Sequence, residues 1–194
     1  MSKTKLWVTL LLGLLVLILI GWTVSDTADK KPTAVLNTQD PTYQSQHNVT
    51  IVYDPTGKLN YRLVSEQVKY YTADLVSWFT NPVVTMYDPD TSVATWTIRS
   101  DRAKLTNDRM LYLYGHVQVD SLTPETSQLQ RIRTDNAQVN LVTQDVASDD
   151  EVYIYGTGFT SNGMRMRGNL RNKTAQLIEK VNTNYEIPSK KQNP

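Results

Sequence analysis

The side chains that do chemistry are scarce in this chain, and their spacing is uninviting. It has no cysteine and two histidines, His47 and His116. Thiol nucleophiles, disulfide frameworks and Cys-type zinc or iron–sulfur sites are therefore excluded, and so is a multi-histidine metal centre. Ser65-Glu66, Asp101 and Asp135 stand in no arrangement that pairs a nucleophile with a base. There is no GxxxxGK[ST] loop to cradle a nucleotide. Arg165, Arg167 and Arg171 form a basic stripe at strand spacing. Such a stripe can meet phosphates, but a solvated outer face explains it as well. The 20 Lys+Arg and 19 Asp+Glu give a net charge of +1, which supplies no field for nucleic acid. The residues thus predict a non-enzyme with no metal or cofactor, whose function rests on surfaces and apolar walls.

The elements that would carry such surfaces begin with an anchor. Leu6–Trp22 is a run of 17 uncharged residues bounded by Trp7 and Trp22. As a helix it reaches roughly 25 Å, the short end of a membrane span, and indoles favour the membrane boundary. A signal peptide is the competing reading. No A-x-A site follows, and a cut after Ser25 is a weak alternative. Lys3 and Lys5 precede the run, whereas Asp26, Asp29, Lys30 and Lys31 cancel behind it. The positive-inside rule places residues 1–5 in the cytoplasm, a transmembrane helix at 6–22 and the rest across the membrane. Residues 23–47 read as a linker, 48–187 as one domain and 188–194 as a frayed tail.

In that domain the dominant period is two. Leu111, Leu113, Val117 and Val119 share one face, against Tyr112, Tyr114, His116 and Gln118. Ala137, Val139 and Leu141 alternate with polar residues, and Met164, Met166 and Leu170 with arginines. Further strands are expected near 49–53, 59–71, 75–79, 83–87, 93–105, 150–160 and 174–187. Asp54-Pro-Thr-Gly57 and Asp88-Pro-Asp90 supply turn chemistry. There is an internal repeat. Leu111–Val117 (LYLYGHV) matches Val152–Gly158 (VYIYGTG), and Ser100–Leu105 matches Thr134–Val139. The positions Val68, Ala103, Ala137 and Ala175 are spaced by 35, 34 and 38 residues. Units of two or three strands cannot bury an apolar face alone, so they stack. The expected fold is an all-β, elongated, two-sheet antiparallel roll. Its ends stay open, so its edge strands can accept another strand, and splayed sheets would open a groove to acyl chains.

The runs Leu105–Val117, Thr134–Asp145 and Met166–Val181, with Asp40-Pro-Thr-Tyr43 and Val76-Ser-Trp-Phe79, carry a resemblance. The chain closely resembles the LptC family of lipopolysaccharide export proteins of Gram-negative inner membranes. The resemblance implies a periplasmic β-jellyroll that receives lipopolysaccharide from the LptB–LptF–LptG ABC transporter and passes it to LptA. The alternative is an assembly factor that joins the two by strand augmentation and holds no lipid. On matching positions the resemblance implies lipopolysaccharide contacts at Asn48, Phe79, Ala175 and Tyr185. It also implies a partner-assembly role for Gly156. The last strand, with Ala175, Leu177 and Val181, becomes the edge for LptA, and the N-terminal strands face the transporter.

Overall fold

The computed structural model describes residues 7, 12, 13, 15, 19, 40–123 and 128–185. The chain divides into two units, Met1–Asn37 and Thr38–Pro194. In the first, Trp7, Leu12, Gly13, Leu15 and Leu19 are helical and exposed. The rest of the expected span 6–22, residues 23–39 and the tail from 186 lie outside the described residues. No helix among the described residues is long and apolar enough to cross a membrane.

The second unit is all β, with strands joined in one antiparallel hydrogen-bonded network. They are β1 (Tyr43–Tyr53), β2 (Leu59–Tyr71), β3 (Val76–Thr80), β4 (Val83–Tyr87), β5 (Ala94–Arg99) and β6 (Arg102–Leu105). Then follow β7 (Met110–Ser121), β8 (Leu129–Asn140), β9 (Asp145–Gly156), β10 (Phe159–Asn169) and β11 (Thr174–Tyr185). The long strands β7 to β11 form a meander. Between β2 and β7 the sheet splits. The first part of β2 pairs with β4 and its second part with β3, while β7 pairs with β6 and then β5.

This splitting makes two layers from one set of strands. One transverse row runs Val68–Phe79–Ala103–Leu113–Ala137 across β2, β3, β6, β7 and β8. The other runs Leu63–Val84–Ile98–Val119–Ile132–Ile154 across β2, β4, β5, β7, β8 and β9. All these residues are buried in a single core cluster. Trp96 ties the layers together, its indole N–H donating to the Leu170 carbonyl at 2.8 Å. That bond satisfies the one polar atom of a large buried ring.

The long strands pass from one layer to the other at a crease. Pairing is irregular between Tyr114 and Val117, Thr134 and Gln138, and Met164 and Met166. His47, His116, Arg165 and Lys180 take positive φ there, a bulge signature that bends a strand. Gly115 has φ 76, and a Cβ on it would stand 2.3 Å from the Asp101 Oδ2 atom. Positive φ and the Asp101 side chain together make any side chain at this position strained. The period of two slips at the crease. Gly163 and Met166 point inward on β10, and Met164 is half-buried.

Several expectations shift. β1 opens at Tyr43, inside the stretch 23–47 read as linker, because Tyr43–Gln46 pair with Gln67–Tyr70. The segment 93–105 divides into β5 and β6, each on a different layer. The segment 150–160 crosses the hairpin turn at Thr157-Gly158. The matched runs are not equivalent. Gly115 sits at the crease, whereas Gly156 ends β9. Ala175 is out of step with Val68, Ala103 and Ala137. It pairs with Gly168, one row along, and Leu177 pairs with Met166. The turns at Asp54 and Asp88 form as read. Each carboxylate accepts backbone N–H bonds from within its own turn, Thr56 and Lys58 for Asp54, Asp90 and Thr91 for Asp88.

Candidate functional site

β11 pairs only with β10, and β1 only with β2, so each leaves one edge unpaired among the described residues. At the β11 side the two layers part around a cleft of about 360 Å³. One wall is Thr174, Ala175, Leu177 and Val181, and the other is Leu129, Ile154, Phe159 and Ser161. Period-two alternation on β9 and β10 turns Ile154 and Ser161 inward. The Ser161 hydroxyl is hydrogen-bonded to that of Thr183 at 2.7 Å, so the polar atoms of this wall satisfy each other. Lys173 stands at the mouth and donates to the Thr123 hydroxyl at 3.4 Å.

The structure brings part of the expected site together. Ala175, Leu177 and Val181 line the cleft. Tyr185 is 75% exposed and lies against Phe159, with ring centroids 6.4 Å apart. Gly156 touches the same ring. A Cβ there would fall 2.0 Å from Phe159 Cε1 and 2.6 Å from the Gln128 carbonyl. Phe79 is elsewhere. It is 5% exposed, between Val68 and Ala103 in the core. Asn48 lies on β1, opposite Ser65, and donates to the Thr50 hydroxyl at 2.9 Å. The Ser65 hydroxyl beside it is buried without a hydrogen-bond partner. Sequence reading missed Leu129, Ile154, Phe159 and Lys173. Ile154 carried a usable signal, its alternation with Tyr153 and Tyr155. Leu129 and Lys173 border loops, where no period exists.

The arginine stripe belongs to the outer face. Arg165 pairs with Glu179 at 3.0 Å and Arg167 with Asp149 at 2.6 Å. Hydrogen bonding and charge from Arg167 hold the Asp149 carboxyl below its usual range. Arg171 donates to the Val142 carbonyl. Burial pushes the Asp120 carboxyl up, but hydrogen bonds from Gln118 and Arg131 outweigh it and the net shift is downward. His116 holds Asp101 at 2.8 Å on the surface. Among the described residues no group of three or more His, Asp and Glu could hold a metal ion.

Comparison with known proteins decides the family. The LptC model (lipopolysaccharide-assembly, LptC-related) matches residues 10–186. This chain belongs to the LptC family. It is 57% identical over 196 residues to the lipopolysaccharide export system protein LptC of Escherichia coli K12, with all of both chains covered. The LptC protein of Haemophilus influenzae is 36% identical, over 91% of this chain and 93% of its own. Among solved structures, LptH of Pseudomonas aeruginosa, an LptA-homologous periplasmic component of the lipopolysaccharide transport device, superposes with a TM-score of 0.53. That likeness covers 66% of this chain and 95% of LptH at 10% identity, and shows a shared fold. The chain is a lipopolysaccharide-transport component with an LptA-like β domain.

Proposed function

We propose that this chain is a carrier, anchored in the inner membrane by residues 6–22 with its β domain in the periplasm. It receives lipopolysaccharide from the LptB–LptF–LptG transporter at the β1 edge and passes it to LptA at the β11 edge. One observation carries the reading. The apolar space between the layers opens beside a strand whose outer edge is unpaired among the described residues. An acyl chain needs an apolar wall, and a strand-adding partner needs free N–H and C=O groups. Here both lie together, so a partner strand added to β11 would extend the same wall. The chain performs no catalysis in this reading, and the energy comes from the transporter.

Phe79 favours the second reading, an assembly factor with a dry interior, because a ring packed at 5% exposure leaves no lipid beside it unless the layers part. The test is native mass spectrometry of the full chain in detergent micelles, with lipopolysaccharide and phospholipid competing at equal concentration. Selective one-to-one retention of lipopolysaccharide is expected. A folded chain that captures LptA yet retains no lipopolysaccharide would replace the carrier by the assembly factor.

A further inference from the structure

Several cations of this domain are held by carboxylates on its surface, while others, among them Lys173, are not. Arg165 and Arg167 are engaged with Asp149 and Glu179 on the outer face. Arg131 is held by Asp120, and Arg99 also reaches that carboxylate at 3.9 Å. Lys173 makes no ion pair among the described residues. Among the described residues it is also the one charged residue lining the β11-side cleft, whose other walls are Leu129, Ile154, Phe159, Ala175, Leu177 and Val181 with a few polar neighbours. An ammonium has three N–H donors. One reaches Thr123, which leaves two to give. The aliphatic stem of a lysine can lie along an apolar wall while its head stays at the mouth. Apolar walls also strengthen the attraction between that head and an anion.

Resting on the carrier reading, we propose that Lys173 is a headgroup-reading residue. It binds a phosphoryl group of the glycolipid whose acyl chain lies along Leu177, Ile154 and Phe159. The ligand class is a phosphorylated glycolipid amphiphile, and the site sets its orientation, with chain inward and phosphate at the mouth. The Thr123 hydroxyl keeps the unliganded ammonium in place across the mouth. Arg165 and Arg167, already paired with carboxylates, take no part, and Arg171, which donates to the Val142 carbonyl, does not line the cleft.

The test uses the full chain in micelles and three probes, bisphosphorylated lipid A, the same lipid A stripped of its phosphates, and phosphatidylglycerol. Native mass spectrometry reads the retention ratio. The wild type is expected to favour the phosphorylated form about tenfold, the size of one hydrogen bond to a charged group. Lys173→Gln should bring the ratio close to one while leaving retention of the stripped form unchanged, and Lys173→Arg should keep the preference. Lys173→Glu should reverse it. A preference that survives Lys173→Gln and Lys173→Glu overturns the proposal and leaves the carrier intact. Equal Lys173-dependent retention of phosphatidylglycerol overturns it too, since the site would then read any lipid phosphate. Failure of the wild type to retain either lipid A overturns the carrier and this assignment together. Thermal melts of each variant matching the wild type establish that folding is not the cause.

Discussion

The two outer strands of the sheet, β1 and β11, are alike in having one edge unpaired among the described residues and differ in how they use their faces. Over the first part of β1 the positions facing the core are polar, and Val52 near its end packs against the core. Ser45, Asn48 and Thr50 stand opposite Val68, Ser65 and Leu63, while Val49 and Ile51 point away and are each 50% exposed. On β11 the inward residues Ala175 and Leu177 pack against the core, and Gln176 and Lys180 face solvent together with Ile178, which is 45% exposed. From Ser45 to Ile51 the β1 pattern is inverted relative to a strand with one wet face. It suits a strand whose outer face is covered by something else. The β11 pattern suits a strand that walls a cleft. A crease residue at positive φ interrupts both strands, His47 in one and Lys180 in the other. Such bulges blunt edges against indiscriminate pairing and leave only a matched partner able to extend the ladder.

The largest test of this contrast is in the middle of the sheet. Phe79→Ala removes a ring from the Val68–Phe79–Ala103 row and should cost about 3–5 kcal/mol, read as a lower thermal midpoint. Leu177→Ala, at a half-buried cleft position, should cost about 1–2 kcal/mol and weaken lipid retention more than stability. If Phe79→Ala leaves the melt unchanged, the ring is a removable wall, and the distinction between core and cleft fails.

Next in size is Gly156. Its Cβ position is blocked by the Phe159 ring, which can turn, and by the Gln128 carbonyl, which is backbone and cannot move cheaply. Gly156→Ala should therefore cost about 1–3 kcal/mol by overpacking. It should also loosen Phe159 from Tyr185, seen as a changed aromatic environment in NMR. Gly156→Arg should in addition abolish LptA capture. Capture unchanged in a folded Gly156→Arg chain would remove this glycine from the partner surface. The double variant Val49→Lys, Ile51→Lys should shift stability by less than about 0.5 kcal/mol, as both residues are surface positions. It should still reduce copurification with the transporter. Full copurification would leave the exposed β1 face without a role.

The sequence made the strands legible because alternation is written directly in residues such as Leu111, Leu113, Val117 and Val119. The layers were less legible. Which strand half joins which layer depends on the crease, and a bulge at Arg165 leaves no compositional trace, while His116 carries only the mild preference of histidine for positive φ. One slipped residue moved Met164 from the face it shared on paper with Met166. The repeat spacing misled at Ala175 for the same reason, as the row that holds Val68, Ala103 and Ala137 is reached on β11 by Leu177. The cleft was half legible. Its β11 wall followed from the last strand being an edge. Its Leu129–Phe159 wall depends on two hairpins meeting, and Lys173 on a turn, neither of which periodicity encodes.

The smallest expected effect concerns the crease itself. The His116 imidazole is fully exposed, and its pKa is raised from 6.5, first by the hydrogen bond to Asp101, then by the charges of Asp101 and Asp135. A group whose folded pKa lies above its unfolded value contributes stability that is fully present below the unfolded pKa. That contribution is lost as pH rises through the folded one. The His116–Asp101 contact should therefore support the crease below about pH 6.5 and fade on the alkaline side. His116→Asn is the suitable variant, because asparagine accepts the φ of 46 without restoring the charge. Its thermal midpoint should fall slightly below the wild type at about pH 6 and converge with it by about pH 9. A gap that stays constant across this range would assign the effect to packing at the bulge rather than to the ion pair. A gap that widens with pH would mean the imidazole is stabilising in its neutral form, which the Asp101 and Asp135 carboxylates beside it argue against.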